Sequence, residues 1–410
     1  CLTLGVCRQW HSTRRSASLR RYNRRNTISE ASALIRSSMD KTKNKRQHFV
    51  PRHYLRHFCV SEQIGVAATD PFRYIGADTA RNQCQASYFY RQGDDDSVDD
   101  WLSGVEAISA EILARIASNR KMNNEELDGL RMLAVIFSLR TRKAAEVAKL
   151  MPKWHADIIL KDAIDRGKLP PPPGGWRPGL MDFKGVSGML LRHSLIPCWL
   201  EMQTLWQKFL IPRPGSGRRF LTSDHPVVTL NPFLDRVGSD RGFSGFSRSG
   251  FQLFFPLGPE CCVMFYDAGV YKVGGKRETV VSLSDYDMDQ VNGLQVQSAD
   301  RVLLFAPDAK ESEISRLYRE FSPLRRPLEE HLRRFATVGD DRMEEFVIAK
   351  SSNVTLRQPF EFCRTVRRPR QGQNGRRNDN WTQFTKIVGE EFEKAPGDID
   401  GAMKRAESRI

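Results

Sequence analysis

The stretch Phe220-Leu221-Thr222-Ser223-Asp224-His225-Pro226-Val227-Val228 decides how the chain is read. Two apolar, strand-like segments flank a polar centre that closes on proline. Pro226 has a fixed φ and no amide hydrogen, and it pushes His225 into an extended conformation, so a regular central strand is interrupted here. The interruption brings Ser223, Asp224 and His225 to an edge or turn. There, polar side chains reach a ligand or close the turn themselves.

Working outward, Thr204–Ile211 and the turn Pro212–Gly217 precede this stretch, and the pair of apolar runs around a Pro/Gly turn reads as a hairpin. Further strands are expected at Gln252–Pro256, Cys262–Tyr266, Val270–Val273 and Val302–Phe305. Ser284-Asp285 can cap a helix before the last strand, with Val291, Leu294 and Ala299 facing inward. The first half is helical. The run of five Asp in the seven residues Asp94–Asp100 leads into a helix Trp101–Asn119, whose apolar stripe is Val105, Ile108, Ile112 and Ile116. Asn123 and Glu126 form a capping pattern for a second helix that carries Leu127, Leu130, Ala134, Phe137 and Ala148 and stops at Pro152. A third helix is expected over Trp154–Arg166 and, after the Pro170–Gly175 connector, a fourth over Gly188–Met202. The order predicts an α+β fold, with a helical first half (about 101–210) packed on a mainly antiparallel sheet from the second half.

Pro51 opens a short helix that places Leu55 and Phe58 on one face. His53 and His57 have the i,i+4 spacing that can hold a metal ion. No acid completes the set and Arg52 and Arg56 would repel a cation, so these read as packed or solvated histidines and no metal is expected.

The net charge is +15, with 40% hydrophobic and 28% charged residues. Residues 1–38 hold eight Arg against one Glu, nearly half of the excess. They lack periodicity and read as a disordered leader or as sequence upstream of a start at Met39, although the composition also fits a transit peptide. The remaining charge admits nucleic acid as a partner without requiring it. No apolar run approaches the roughly 20 residues needed to span a bilayer. Eight cysteines without a C-x-x-C pair fit a reducing, cytoplasmic setting for a soluble protein. Residues 307–410 read as a charged, loosely attached extension. It contains a basic linker near 364–378, where six Arg between Arg364 and Arg377 meet no acid, and a docking helix over Trp381–Glu393.

Phosphate-loop, dinucleotide and zinc-protease motifs are all missing, so no cofactor is expected. Ser223, Asp224 and His225 have the residue types of a hydrolytic triad, yet successive side chains of an extended chain point to opposite faces. Two readings follow. In the first, the protein is a non-catalytic binding or interaction module whose polar residues brace the junction of helical and sheet layers. In the second it is a hydrolase or nuclease, with Asp224 as metal ligand or base, His48 or His225 in proton transfer and Arg140 holding an anion. Convergence of His48, Glu106, Arg140 and Asp224 in an open pocket favours the enzyme, and scattering or burial in matched pairs favours the module. The four are expected in one polar pocket between the helical and sheet layers, with Ser223, His225 and Tyr54 as binding residues.

His48-Phe49-Val50-Pro51, followed by Tyr54, Leu55 and Phe58, resembles the opening signature of the bacterial domain of unknown function 4238 family. Phe220-Leu221-Thr222-Ser223-Asp224, with Pro226 and Val227, is similar to its central motif, in which Asn usually stands where this chain has His225. Phe255-Pro256-Leu257 and Asn292, Ala299 and Arg301 match weaker later blocks. The resemblance covers roughly residues 46–306 and implies one domain over that span. It implies no activity, substrate or partner.

Overall fold

The computed structural model describes residues 46–87, 89–90, 97–118, 122–149, 163–165, 167–172, 174–175, 186–235, 245–325, 332–339, 342–349, 354–368, 375–395 and 398–409. The leader 1–38, residues 94–96 of the acidic run and nearly all of the expected helix at 154–166 lie outside them.

The fold is α+β. Its first sheet has four strands in the order β3-β2-β12-β6, where β2 is Gln63–Thr69, β3 is Phe72–Thr79, β6 is Thr222–Ser223 and β12 is Val302–Phe305. All its pairings are antiparallel. The second has five, in the order β11-β5-β9-β8-β7: Val280–Leu283, Trp206–Pro212, Cys261–Tyr266, Gln252–Gly258 and Val228–Leu230. Here only β11 and β5 run parallel. Among the described residues there are also three two-stranded ladders: β1 (Arg46–His48) with β4 (Gln85–Ser87), β10 (Tyr271–Val273) with β15 (Cys363–Thr365), and β13 (Leu332–Gly339) with β14 (Arg342–Ala349).

The expected hairpin between 204–211 and 220–228 does not form. β5 joins the five-stranded sheet, and the broken stretch divides itself: β6 pairs with β12 in one sheet and β7 pairs with β8 in the other. Proline cannot donate into a ladder, so the chain changes sheets at His225-Pro226.

Strands β8 and β9 are buried throughout. This requires cover on both faces, because successive side chains alternate. On one face Leu253, Phe255, Val263 and Phe265 meet the helices α1 (Ser97–Ser118), α2 (Asn124–Leu139), α3 (Val186–Met202), α6 (Asp379–Lys394) and α7 (Ile399–Glu407) in one core. On the other, Phe254, Cys262 and Met264 pack with α4 (Asp285–Ser298), Val354 and Phe360. Each fully buried Phe contributes about 1.5–3 kcal/mol, so the C-terminal segment is part of the core. Helix α5 (Glu311–Phe321) closes the four-stranded sheet with Ile314, Leu317 and Phe321. Gly293 lets α5 approach α4 closely, since a Cβ there would lie 2.3 Å from the Phe321 ring.

Parts of the extension expected to be loose beyond 307 are therefore held in the cores, namely α5, Val354, Phe360, α6 and α7, while β13 and β14 pair with each other. β15 pairs with β10 within the expected linker. The Arg377 side chain is 9% exposed, donating to the Arg248 carbonyl at 2.9 Å and pairing with Glu201 at 3.4 Å. Residues 369–374 of that linker lie outside the described set. Among the described residues no helix is long and apolar enough to cross a membrane.

Candidate functional site

The candidate residues converge on the end of α2. Asn123 caps its start, accepting from the Glu126 amide while the Glu126 carboxylate accepts the Asn123 amide. The helix does not run on to Pro152 as expected. It stops at Arg140, and Thr141 begins a second helical segment at 142–149, its hydroxyl accepting the Ala144 amide at 3.2 Å. A threonine hydroxyl can replace the lost helical carbonyl at such a start. The break sends Arg140 one way and Thr141, Arg142 and Lys143 the other.

On the first side, Arg140 is 2% exposed. Its guanidinium donates to Glu106 Oε1 at 2.8 Å, to the His48 carbonyl at 2.7 Å and to Tyr90 Oη at 3.1 Å. Burial alone would lower its pKa, but Tyr90 and Glu106 more than offset this and raise it. His48 thus meets Arg140 through its backbone. Its ring instead lies 3.3 Å from the Arg81 carbonyl, and burial lowers its pKa. Beside Glu106, Ser109 Oγ shares a 2.6 Å hydrogen bond with His53 Nε2 and lies 2.9 Å from the Glu106 carbonyl. Burial pushes His53 down to about 4, against the pull of Glu106.

On the second side, Asp224 is 2% exposed and its carboxylate receives three consecutive amides of the α4–β12 connection: Asp300 at 2.8 Å, Arg301 at 2.8 Å and Val302 at 3.3 Å. Burial and the nearby Asp300 lift its pKa to about 6, although these amides and Arg142 favour the charged form. The carbonyls of the same connection are also taken. Lys143 donates to Ser298 O at 2.8 Å, and Arg325 to Ala299 O at 2.9 Å and Asp300 O at 3.2 Å. Arg142 pairs with the Asp300 carboxylate at 2.8 Å. His225 Nδ1 shares a 2.6 Å hydrogen bond with the Thr141 hydroxyl, and burial, helped by Lys143, drives its pKa down to about 3.

Helix α4 is buried on nearly all sides despite carrying Asp287, Gln290, Asn292, Gln295, Gln297 and Ser298. Much of that polarity serves the central stretch. Asn292 accepts the Leu221 amide and donates to the Arg219 carbonyl, both at 2.9 Å. Gln295 accepts the Ser223 hydroxyl at 2.9 Å and donates to the Pro226 carbonyl at 2.8 Å. Ser298 reaches the His225 carbonyl at 3.3 Å. These residues recur every three positions and so share one face. Tyr54, fully buried, donates to the Pro256 carbonyl at 2.8 Å and bonds the Thr222 hydroxyl at 2.6 Å, while its ring stacks on Phe255.

The structure therefore brings together Arg140, Glu106 and the His48 backbone, and separately Asp224, Ser223 and His225. Among the described residues no hydrogen bond or ion pair joins Asp224 to Arg140, and no group of His, Cys, Asp and Glu could hold a metal. The sequence reading missed Tyr90, Thr141, Lys143 and Asp300. A Thr after a helix-ending Arg was a usable signal for the break, whereas Asp300 is one of many surface-like acids.

No curated protein and no solved structure matches the chain. The model of the family described as "Protein of unknown function (DUF4238)" matches residues 46–159 and 202–309, and this includes α1, α2, the broken stretch and α4. The chain belongs to that family.

Proposed function

We propose that this protein is a non-catalytic binding or interaction module in which the Thr222–Pro226 motif braces two sheets against the helical layer. The observation that carries the reading is saturation. Ser223 and Asp224 are buried, and their polar side-chain atoms are engaged by α4 and the α4–β12 connection. A general base must reach the proton it abstracts, and a carboxylate already holding three main-chain amides is poorly placed to do so. Lowered by burial, His225 is a weak base whose Nδ1 is already bonded to Thr141.

A hydrolase or nuclease is the second reading, and one contact favours it. His53 and Ser109 lie 2.6 Å apart beside the partly exposed Glu106 and the Arg140 guanidinium. Nucleophilic use of Ser109 is opposed by its burial.

Asp224→Asn separates the readings, because it keeps shape while removing charge and one acceptor. The bracing role expects a lower urea midpoint in the variant, and no turnover of generic ester, phosphomonoester or phosphodiester substrates by the native protein. Turnover by the native protein that the variant loses while its urea midpoint stays unchanged would refute bracing.

A further inference from the structure

We infer that the β10–β15 ladder carries a surface for the phosphodiester backbone of a nucleic acid, which deepens the binding-module reading by naming a partner class and rests on it. Six cations are exposed here: Lys272 on β10, Lys276 and Arg277 in the turn after it, and Arg364, Arg367 and Arg368 on or just beyond β15. None of them makes an ion pair or side-chain hydrogen bond among the described residues. Several arginines elsewhere are matched, as in Arg52 with Glu62, Arg218 with Glu313, Arg316 with Asp289 and Arg357 with Glu320, whereas unmatched ones among the described residues, such as Arg73 and Arg319, are not gathered on one ladder.

The ladder register concentrates this charge. Lys272 stands directly opposite Arg364, an arrangement in which like charges repel. The bordering acids already accept hydrogen bonds, Glu278 within the same turn as Lys276 and Arg277. Glu278 accepts the Gly275 amide at 2.8 Å and Glu361 the Ser284 hydroxyl at 2.9 Å. Within the basic run, Arg376 and Arg377 are paired with Asp379 and Glu201, so among its described residues the unpaired arginines lie at its ladder end. Val366, half exposed, sits among them.

A charged edge strand also discourages edge-to-edge pairing, but a lysine or two accomplishes that. Six unmatched cations across two strands and a turn fit a dense polyanion better. Nucleic acid is bound through neutralised phosphates without a shaped pocket, and the net charge of +15 would steer it in. An acidic peptide carries its charge more sparsely.

The test titrates the full chain into a short labelled single-stranded RNA and a duplex DNA of equal length, followed by anisotropy at several salt concentrations and by a gel for probe integrity. Binding is expected to weaken with salt, with a log–log slope of about −2 to −4 for three or four phosphates. The variant Arg364→Gln/Arg367→Gln/Arg368→Gln should bind at least about tenfold more weakly at low salt and show a shallower slope, with an unchanged melting temperature. Lack of binding, an unaffected variant, or a polyglutamate peptide binding as tightly as the oligonucleotides would each overturn the inference. Cleaved probe with retained binding would count against the non-catalytic reading alone.

Discussion

Arg140 and Asp224 are equally buried charges in the same protein, yet they are compensated in opposite ways. Partners of Arg140 come from α1, β1 and Tyr90, three separate parts of the chain. Those of Asp224 are successive amides of a single connection. A charge shared among separate segments loses partners one at a time when a segment shifts. One that caps a single connection is lost all at once, and it fixes that connection to β6. The difference assigns Asp224 to the joint between sheet and helix and Arg140 to the packing of helices on the N-terminal segment.

The largest expected effect breaks this contrast at its stronger end. Asp224→Ala leaves three inward amides without an acceptor and should cost about 3–5 kcal/mol. Arg140→Met keeps much of the packing volume and leaves Tyr90 Oη 3.4 Å from the His48 carbonyl as a partial substitute. It should cost about 2–3 kcal/mol. Urea unfolding of both variants measures the difference, and equal losses would abolish the distinction.

Acid should act on the two sides unequally. His225 and His53 are held at about 3 and about 4, chiefly by burial, against 6.5 for the free side chain. Between pH 6.5 and those values the unfolded chain binds their protons and the folded one does not, so their stabilisation is present above 6.5 and lost as pH falls. His48 and His57, also lowered by burial, act in the same direction. Asp224, raised from 3.8 to about 6, has the opposite sign: the folded state binds its proton first, and stability gains as pH falls through 6. Burial likewise raises Asp128, Glu201 and Asp287, which share the sign of Asp224. The four histidines act from a free value of 6.5, inside the pH range of the measurement, and each net proton is worth about 1.4 kcal/mol per pH unit. The urea midpoint should therefore fall from pH 7 to pH 5, more gently in His225→Asn. A midpoint that rises on acidification would show the raised carboxylates to dominate.

Several elements were legible because their signals are local. Asn123 with Glu126, Ser284 before Asp287 and the apolar run Val302–Phe305 each declare an element within a few residues. Pro226 declared a break as well, and the residues around it were marked as exceptional. Its consequence was not legible: the hairpin expectation kept both sides of the break in one sheet, because nothing local says which distant strand each half will join. Backbone partners were equally hidden. Any residue type can supply the amides of 300–302, so Asp224 left no pairing signature, and an acid capable of matching Arg140 was sought in its place. Arg377 shows the reverse error, since an Arg-rich, acid-free run looks solvated until Glu201, far away in sequence, reaches it.

The smallest expected effect sharpens the Arg140 side. Glu106 is 31% exposed, whereas the guanidinium it meets is almost fully enclosed. Glu106→Gln retains an amide oxygen that can accept from Arg140 and removes only the charge. Water screens a partly exposed pair, so the loss should be about 0.5–1 kcal/mol, well below that of Arg140→Met. If Glu106→Gln instead matches Arg140→Met, Arg140 depends on a single carboxylate and its other two partners contribute little. The compensation would then be concentrated on one group at Arg140 as it is on one connection at Asp224, and a double-mutant cycle between Glu106 and Arg140 would measure the coupling directly.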